Sequence, residues 1–223
     1  RKAMSLHLQA STAPALVVFE DVLRERIDAI EQSHKPCRFC LYRDLLREPL
    51  LRAVFALAEL PAQIDLDVEI LSQHFDDAVS LRKRLAIETM FETLGRADTQ
   101  RRLDPAMQLA LGVLTLSTNT LPGSMALSLH EVLSRSTPPQ PLNRVDWDLL
   151  PPRTGLALIE RLCLADSELA GVSVRAGDRL RLFIETDGFS EAGEARYSEL
   201  FFAVGAHKCI GMPVSKQVWT VLT

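Results

Sequence analysis

The residues of this chain best placed to do chemistry lie near its end, in Phe202-Ala203-Val204-Gly205-Ala206-His207-Lys208-Cys209-Ile210-Gly211. One cysteine sits in a glycine-punctuated turn, with a basic-capable side chain, His207, two positions ahead of it. The next residues, Met212 to Leu222, read as a short helix. Backbone N–H groups of a tight turn can point at a sulfur, and the start of a helix adds its positive dipole end. Both favour the thiolate, the form of cysteine that binds a metal such as iron, and both tune that metal. Cys209 is therefore the first candidate metal ligand. A second cysteine pair, Cys37-Arg38-Phe39-Cys40, follows His34. A structural zinc site wants four ligands and a second C-x-x-C is missing. A redox dithiol would sit beside a strand, whereas this pair opens a helical segment, so its expected role is structural. Cys163 is expected in packing.

The elements that must position Cys209 are mostly helical. Thr12 to Ser33 has a Ser11/Thr12 cap signal, Pro14 near a first turn, and Leu16, Phe19, Leu23, Ile27 and Ile30 at spacings of three and four. Leu41 to Leu60 is a second helix, stopped by Pro61. Asp67 to Leu94 holds one long or two shorter helices, ending at Gly95. Pro105 to Arg135 reads as one helix, apolar along most of its length and hence buried on several sides. Ser136 to Pro141 breaks it. Leu169–Val174 and Arg179–Ile184 then read as strands of a hairpin turning at Arg175–Asp178, and Thr186–Arg196 reads as loop. The expected fold class is mainly α with a small β-hairpin region.

Bulk properties narrow the function classes. The 223 residues are 47% hydrophobic and 24% charged, the composition of a globular protein of one large or two small domains. A net charge of −4 supplies no basic face for nucleic acid. No apolar run approaches the roughly 20 residues needed to cross a bilayer. Four cysteines do not make a disulfide scaffold, so a reducing cytoplasm is the expected location. The chain opens at Arg1 rather than Met, which leaves a removed targeting segment open.

The cysteine loop resembles that of the cytochrome P-450 superfamily, whose pattern F-x-x-G-x-H/R-x-C-x-G is matched at Phe202, Gly205, His207, Cys209 and Gly211. A second segment, Arg161-Leu162-Cys163-Leu164-Ala165-Asp166-Ser167-Glu168-Leu169-Ala170-Gly171-Val172 followed by Ala176-Gly177-Asp178, is similar to the family's R-x-A-x-x-D-x-E-(I/L)-x-G-V-x-(I/V)-x-(A/K)-G-(D/E). The order of elements from Pro105 onward also looks like this family, while Arg1–Ile30 and Leu41–Pro61 resemble two of its earlier helices. The resemblance implies one shortened haem-thiolate domain over residues 1–223, without the usual N-terminal region. It implies haem b with Cys209 as the axial thiolate ligand to iron, His207, Arg161 and, more distantly, Arg1 at the propionates, Phe202 beside the sulfur side of the ring, and Gly211 closing the loop. A thiolate ligand pushes electron density toward an iron-bound O–O bond. The implied activity is a monooxygenase-like oxidation of a small-molecule or carrier-bound substrate in secondary metabolism. Implied partners are a ferredoxin-type electron donor near Lys208 and Lys216, and a homodimer or partner protein covering the shortened face.

Two departures stand out. The family's acid–alcohol pair falls on Thr115-Leu116-Ser117-Thr118-Asn119-Thr120, with Thr118 at the acid position and Asn119 at the alcohol position. A one-residue slip puts Thr118 or Thr120 at the alcohol. No carboxylate lies between Pro105 and His130, so proton delivery rests on Thr118, Asn119 and Thr120. The family's E-x-x-R pair falls on Val145 and Asp148 and is missing. Losing both partners leaves no buried charge unpaired, yet it removes a support of the cysteine loop. These departures favour peroxide-driven or rearrangement chemistry. They also open a second reading, in which the chain is a haem sensor or a scaffold for a biosynthetic partner.

Overall fold

The computed structural model describes residues 2–33, 39–60, 70, 80–96, 105–135, 138, 140–148, 150–156, 158–184, 202–205 and 208–223. Six α-helices run through them: α1 Lys2–Gln32, α2 Arg47–Leu57, α3 Leu81–Arg96, α4 Pro105–Ser117, α5 Thr120–Ser134 and α6 Met212–Leu222. A π-helical turn, Leu41–Leu46, leads into α2, and a single 3-10 turn, Leu142–Arg144, follows α5. The strands are β1 Leu158–Leu162, β2 Ser167–Leu169, β3 Val172–Val174 and β4 Arg179–Phe183. The fold is mostly helical with a small antiparallel strand region, as the sequence predicts.

The helices share one core. Phe19 of α1, Leu50 and Val54 of α2, Leu114 of α4, Met125 of α5 and Trp219 of α6 are all buried in it. The most extensive helix pairing is between α1 and α2. No helix among the described residues is long and apolar enough to cross a membrane.

Three elements differ from the sequence reading. The first helix starts well before Ser11 and Thr12 and runs through Pro14. The two hydroxyls do not cap it, because each has another partner. Thr12 Oγ1 donates back to the Leu8 carbonyl, and Ser11 Oγ donates to Glu59 Oε1 at 2.9 Å. The predicted single helix over Pro105–Arg135 is two, broken at Thr118 and Asn119. Pro122 explains the break. It has no N–H to offer the Thr118 carbonyl, and proline is accommodated in a first turn, which is where the start of α5 at Thr120 places it. The predicted hairpin across Arg175–Asp178 does not form. Ala170 and Gly171, at φ 50° and 80°, turn the chain tightly between β2 and β3, which pair with each other. That consumes half of the apolar run from Leu169 to Val174, and β4 pairs antiparallel with β1 instead, Glu160 opposite Arg181. The predicted helix over Asp67–Leu94 is described from Leu81 onward, and the predicted loop Thr186–Arg196 lies outside the described residues.

The link from α5 to β1 is stitched to α5. Ser128 is fully buried, donates to the Arg153 carbonyl at 3.0 Å and accepts from the Arg153 N–H at 2.9 Å. One turn earlier, Ser124 Oγ accepts the Gly155 N–H at 2.8 Å. Gly155 is required there by space, since a Cβ would lie 2.9 Å from Ser124 N and 3.1 Å from the Gly123 carbonyl carbon.

Candidate functional site

The Cys209 loop is shaped by two left-handed residues. Ala203 and Gly205 adopt φ of 57° and 62°, a conformation that glycine takes without strain and alanine does not. The turn they create lets the Cys209 N–H donate to the Phe202 carbonyl at 2.6 Å and the Lys208 N–H to the Gly205 carbonyl at 3.2 Å. Phe202 is buried and anchors the front of the loop, while Cys209 is exposed. Gly211 is the N-cap of α6, and Pro213 lies in that helix's first turn, where its missing N–H costs nothing. A Cβ added at Gly211 would stand 3.8 Å from Cys209 Sγ. The sulfur thus lies at the positive end of an 11-residue helix, with glycine leaving its flank open.

Behind the loop, Val214 and Val218 of α6 enter the core that also holds Val113 and Leu114 of α4. Trp219 is buried beside them. Its Nε1–H donates to the Asp148 carbonyl at 2.7 Å, and its ring meets Trp147 edge to face at 6.4 Å between centroids.

The break between α4 and α5 carries the residues at the predicted proton-delivery positions. Thr118 is 4% exposed, and its Oγ1 has no hydrogen-bond partner among the described residues. Its neighbours behave differently. Thr115 Oγ1 donates back to Leu111 at 2.7 Å and Thr120 Oγ1 to Leu116 at 2.6 Å, the usual outlet for a hydroxyl on a helix. Asn119 is the N-cap of α5 and makes no side-chain cap bond.

Arg161 lies on β1, half-buried, opposite Leu180. Its Nη1 donates to the Glu160 carbonyl at 2.8 Å, and it makes no ion pair among the described residues. It belongs to the strand region and not to the helical core that carries α4 and α6. His207, Arg1 and Cys37 lie outside the described residues. Cys40 is exposed and Cys163 buried, where its sulfur contacts the Ala165 carbonyl at 2.9 Å, in keeping with a packing role.

The stretch expected to hold the missing E-x-x-R pair is not helical: Val145 to Asp148 runs on past the 3-10 turn without regular structure. A set of charges not anticipated from the sequence gathers around it. Arg135 Nη1 lies 2.7 Å from Asp148 Oδ2, Arg135 Nε 3.9 Å from Glu131 Oε1, and Arg153 Nη2 3.2 Å from Glu131 Oε2. The spacing Ser124, Ser128, Glu131, Arg135 marks one polar face on an otherwise apolar helix, which is the signal in the sequence that points to this seam.

Comparison with solved structures gives the fold a family. The chain aligns over 99% of its length with the LnmA cytochrome P-450 hydroxylase from the leinamycin biosynthetic pathway of Streptomyces atroolivaceus, at TM-score 0.65 and 16% identity, covering 68% of that chain. OxyB from teicoplanin biosynthesis, solved in complex with an X-domain, aligns over 99% of this chain and 70% of its own at TM-score 0.64 and 15% identity. The haem domain of Acinetobacter radioresistens CYP116B5 aligns at TM-score 0.69 and 15% identity, over 94% of this chain and 62% of its own. No family model and no curated protein matches the chain. With eight such neighbours each covering 94% or more of it, the chain has a shortened cytochrome P-450 fold.

Proposed function

We propose that this protein is a haem-thiolate oxidoreductase that oxidises a small or carrier-tethered organic substrate in secondary metabolism. The observation that carries the reading is Cys209 exposed at the N-terminus of α6, with a glycine at its flank, inside a P-450 fold. These residues suit haem: a thiol with an open flank to hold the iron, and, at a helix break, a buried hydroxyl with no partner among the described residues. Haem held by a thiolate supplies oxidation of carbon with dioxygen or peroxide.

The chain's own residues divide the remaining work. Cys209 binds the iron, and the bond from its N–H to Phe202 holds the sulfur in place. Phe202 keeps water from the loop's inner side. Arg161 and His207, with Arg1 as a further candidate, bind the propionates, the arginine forks suiting carboxylates. Thr118 holds a proton or a water at its hydroxyl, next to Asn119 and Thr120. No carboxylate lies along α4 or α5 before Glu131, which favours a peroxide-driven reaction over one needing an acid relay. Lys208 and Lys216 offer positive charge to an acidic electron donor, and a protein partner of the kind bound to OxyB is part of the proposal. The cytoplasm is the proposed location.

The non-helical Val145–Asp148 stretch favours a second reading, a haem-binding sensor or scaffold without turnover. One experiment tests both. The protein is loaded with haem, reduced and exposed to carbon monoxide. A strongly red-shifted Soret band that disappears in Cys209→Ala supports the ligand assignment. Folded protein that takes up no haem refutes the enzyme and the sensor and leaves the scaffold. With haem bound, consumption of peroxide or dioxygen separates the enzyme from the sensor.

A further inference from the structure

Around the end of α5, four side chains of alternating charge run Arg153, Glu131, Arg135, Asp148. Each neighbouring pair is within 3.9 Å, and each member is 31–40% exposed. Ion pairs this exposed stabilise little singly. What distinguishes this row is where it ends. Asp148 Oδ2 is buried and has no aligned hydrogen bond among the described residues, so its close contact with Arg135 is a charge contact. The carbonyl of the same residue accepts the indole N–H of Trp219.

Trp219 is 1% exposed and lies two turns after Gly211. Val214 and Val218, with Val221 and Leu222 packed at the core's edge, also seat α6, and apolar contacts of this kind fix the rotation of a helix less tightly than a directed bond does. The hydroxyl of Thr220 bonds back to the carbonyl of Lys216 in the same helix. The bond from Trp219 to Asp148 is thus a directed link between α6 and the stretch that Arg135 contacts. Cys209 stands three residues before that helix begins.

We propose that Trp147-Asp148, fastened to α5 by Arg135, is a strut that positions the Cys209 loop through Trp219. Asp148 and Arg135 are positioning residues, since neither touches the thiol in the contacts described. The consequence for haem rests on the function proposed above; the strut itself does not.

The test is amide hydrogen exchange in the protein as purified. In Asp148→Asn the carboxylate charge is lost and the shape kept, so exchange at the Cys209 and Lys208 amides rises by about two- to fivefold, the size of losing one partly exposed charge contact. Amides of α1 and α2 keep their wild-type rates. Arg135→Gln reproduces the effect and Arg135→Lys largely restores wild-type exchange. Arg181→Gln, which breaks an exposed pair with Glu160 of 2.8 Å, leaves the Cys209 amide unchanged. If Asp148→Asn does not fold, Arg135→Gln decides. Unchanged exchange at Cys209 overturns the proposal, and so does a rise spread evenly over α1 and α2, which would report general destabilisation. In haem-loaded protein the same variants lower the fraction showing the red-shifted carbon monoxide band. If the wild type takes up no haem, the proposed function fails while the exchange result still decides the strut.

Discussion

Thr118 carries a buried hydroxyl with nothing to bond among the described residues, where Thr115 and Thr120 on either side return theirs to the helix. An unsatisfied hydroxyl costs about 1–3 kcal/mol on burial. Thr118→Val keeps the branched shape and removes that cost. The variant should be more stable by about 1–2 kcal/mol in urea unfolding, and peroxide turnover by the haem-loaded protein should fall at least tenfold. A variant that is less stable than the wild type would show that the hydroxyl has a partner in solution. At this scale much was legible beforehand. Cys209 lies in a glycine-bearing turn ahead of a short helix, as its sequence reads, because a turn of fixed spacing is a local property of the chain. The isolation of the Thr118 hydroxyl was not legible. It depends on side-chain orientation and packing at the break between α4 and α5, a break that Pro122 makes in a helix that hydropathy alone reads as continuous.

Gly155 and Asp44 make predictions at the scale of elements. A Cβ on Gly155 would meet Ser124 N at 2.9 Å, the Gly123 carbonyl carbon at 3.1 Å and the Thr120 carbonyl oxygen at 3.2 Å, all backbone atoms of α5 or its start. None can move without shifting the helix, so Gly155→Ala should cost about 1–3 kcal/mol in denaturant unfolding. Gly123→Ala, whose Cβ would meet Gly155 Cα at 3.6 Å, should cost less. Asp44 sits in the π-helical turn ahead of α2, where the Arg43 side chain and the Cys40 N–H hold its carboxyl down to about 2 from an ordinary 3.8. Its folded value lies below its unfolded value. The stabilisation is therefore complete above about pH 4 and is lost as pH falls through about 2. A carboxyl-carbon NMR titration should place the Asp44 midpoint near 2, and acid loosening of Leu41–Leu46 in that window should be absent in Asp44→Asn. Among the helices, the short α6 was read to its ends and α2 within its predicted segment, whereas the long apolar run over Pro105–Arg135 hid a break. Of the strands, β4 was read in place, the predicted strand over Leu169–Val174 is split by a turn between β2 and β3, and β1 was not read, since the tight turn at Ala170-Gly171 competes with the one at Arg175–Asp178 and only long-range pairing with β1 decides between them.

At the scale of the whole molecule the helices and the strands have separate fates. Phe19, Leu50, Leu114 and Trp219 bury a common core, whereas Leu164 is 87% and Phe183 73% exposed on the strand region. Two-stranded sheets exposed on both faces have little to hold them closed. Amides of β1 and β4 should exchange at least about a hundredfold faster than those of α1 and α2, and equal protection would show that the strands are covered in solution. What the sequence determined by itself was local: the shape of the cysteine loop, the helical character of most segments, and the lack of a carboxylate along α4 and the first turns of α5. Each of these follows from residue types at short separation, through backbone preference and periodicity. What only the tertiary structure decided was which distant residues meet: Arg135 with Asp148, Asp148 with Trp219, Gly155 with the backbone of α5. Those contacts span up to 71 positions of chain. They are set by how the helices pack rather than by any preference of the residues themselves, and they place the support of Cys209 in a stretch that the sequence leaves without a recognisable motif.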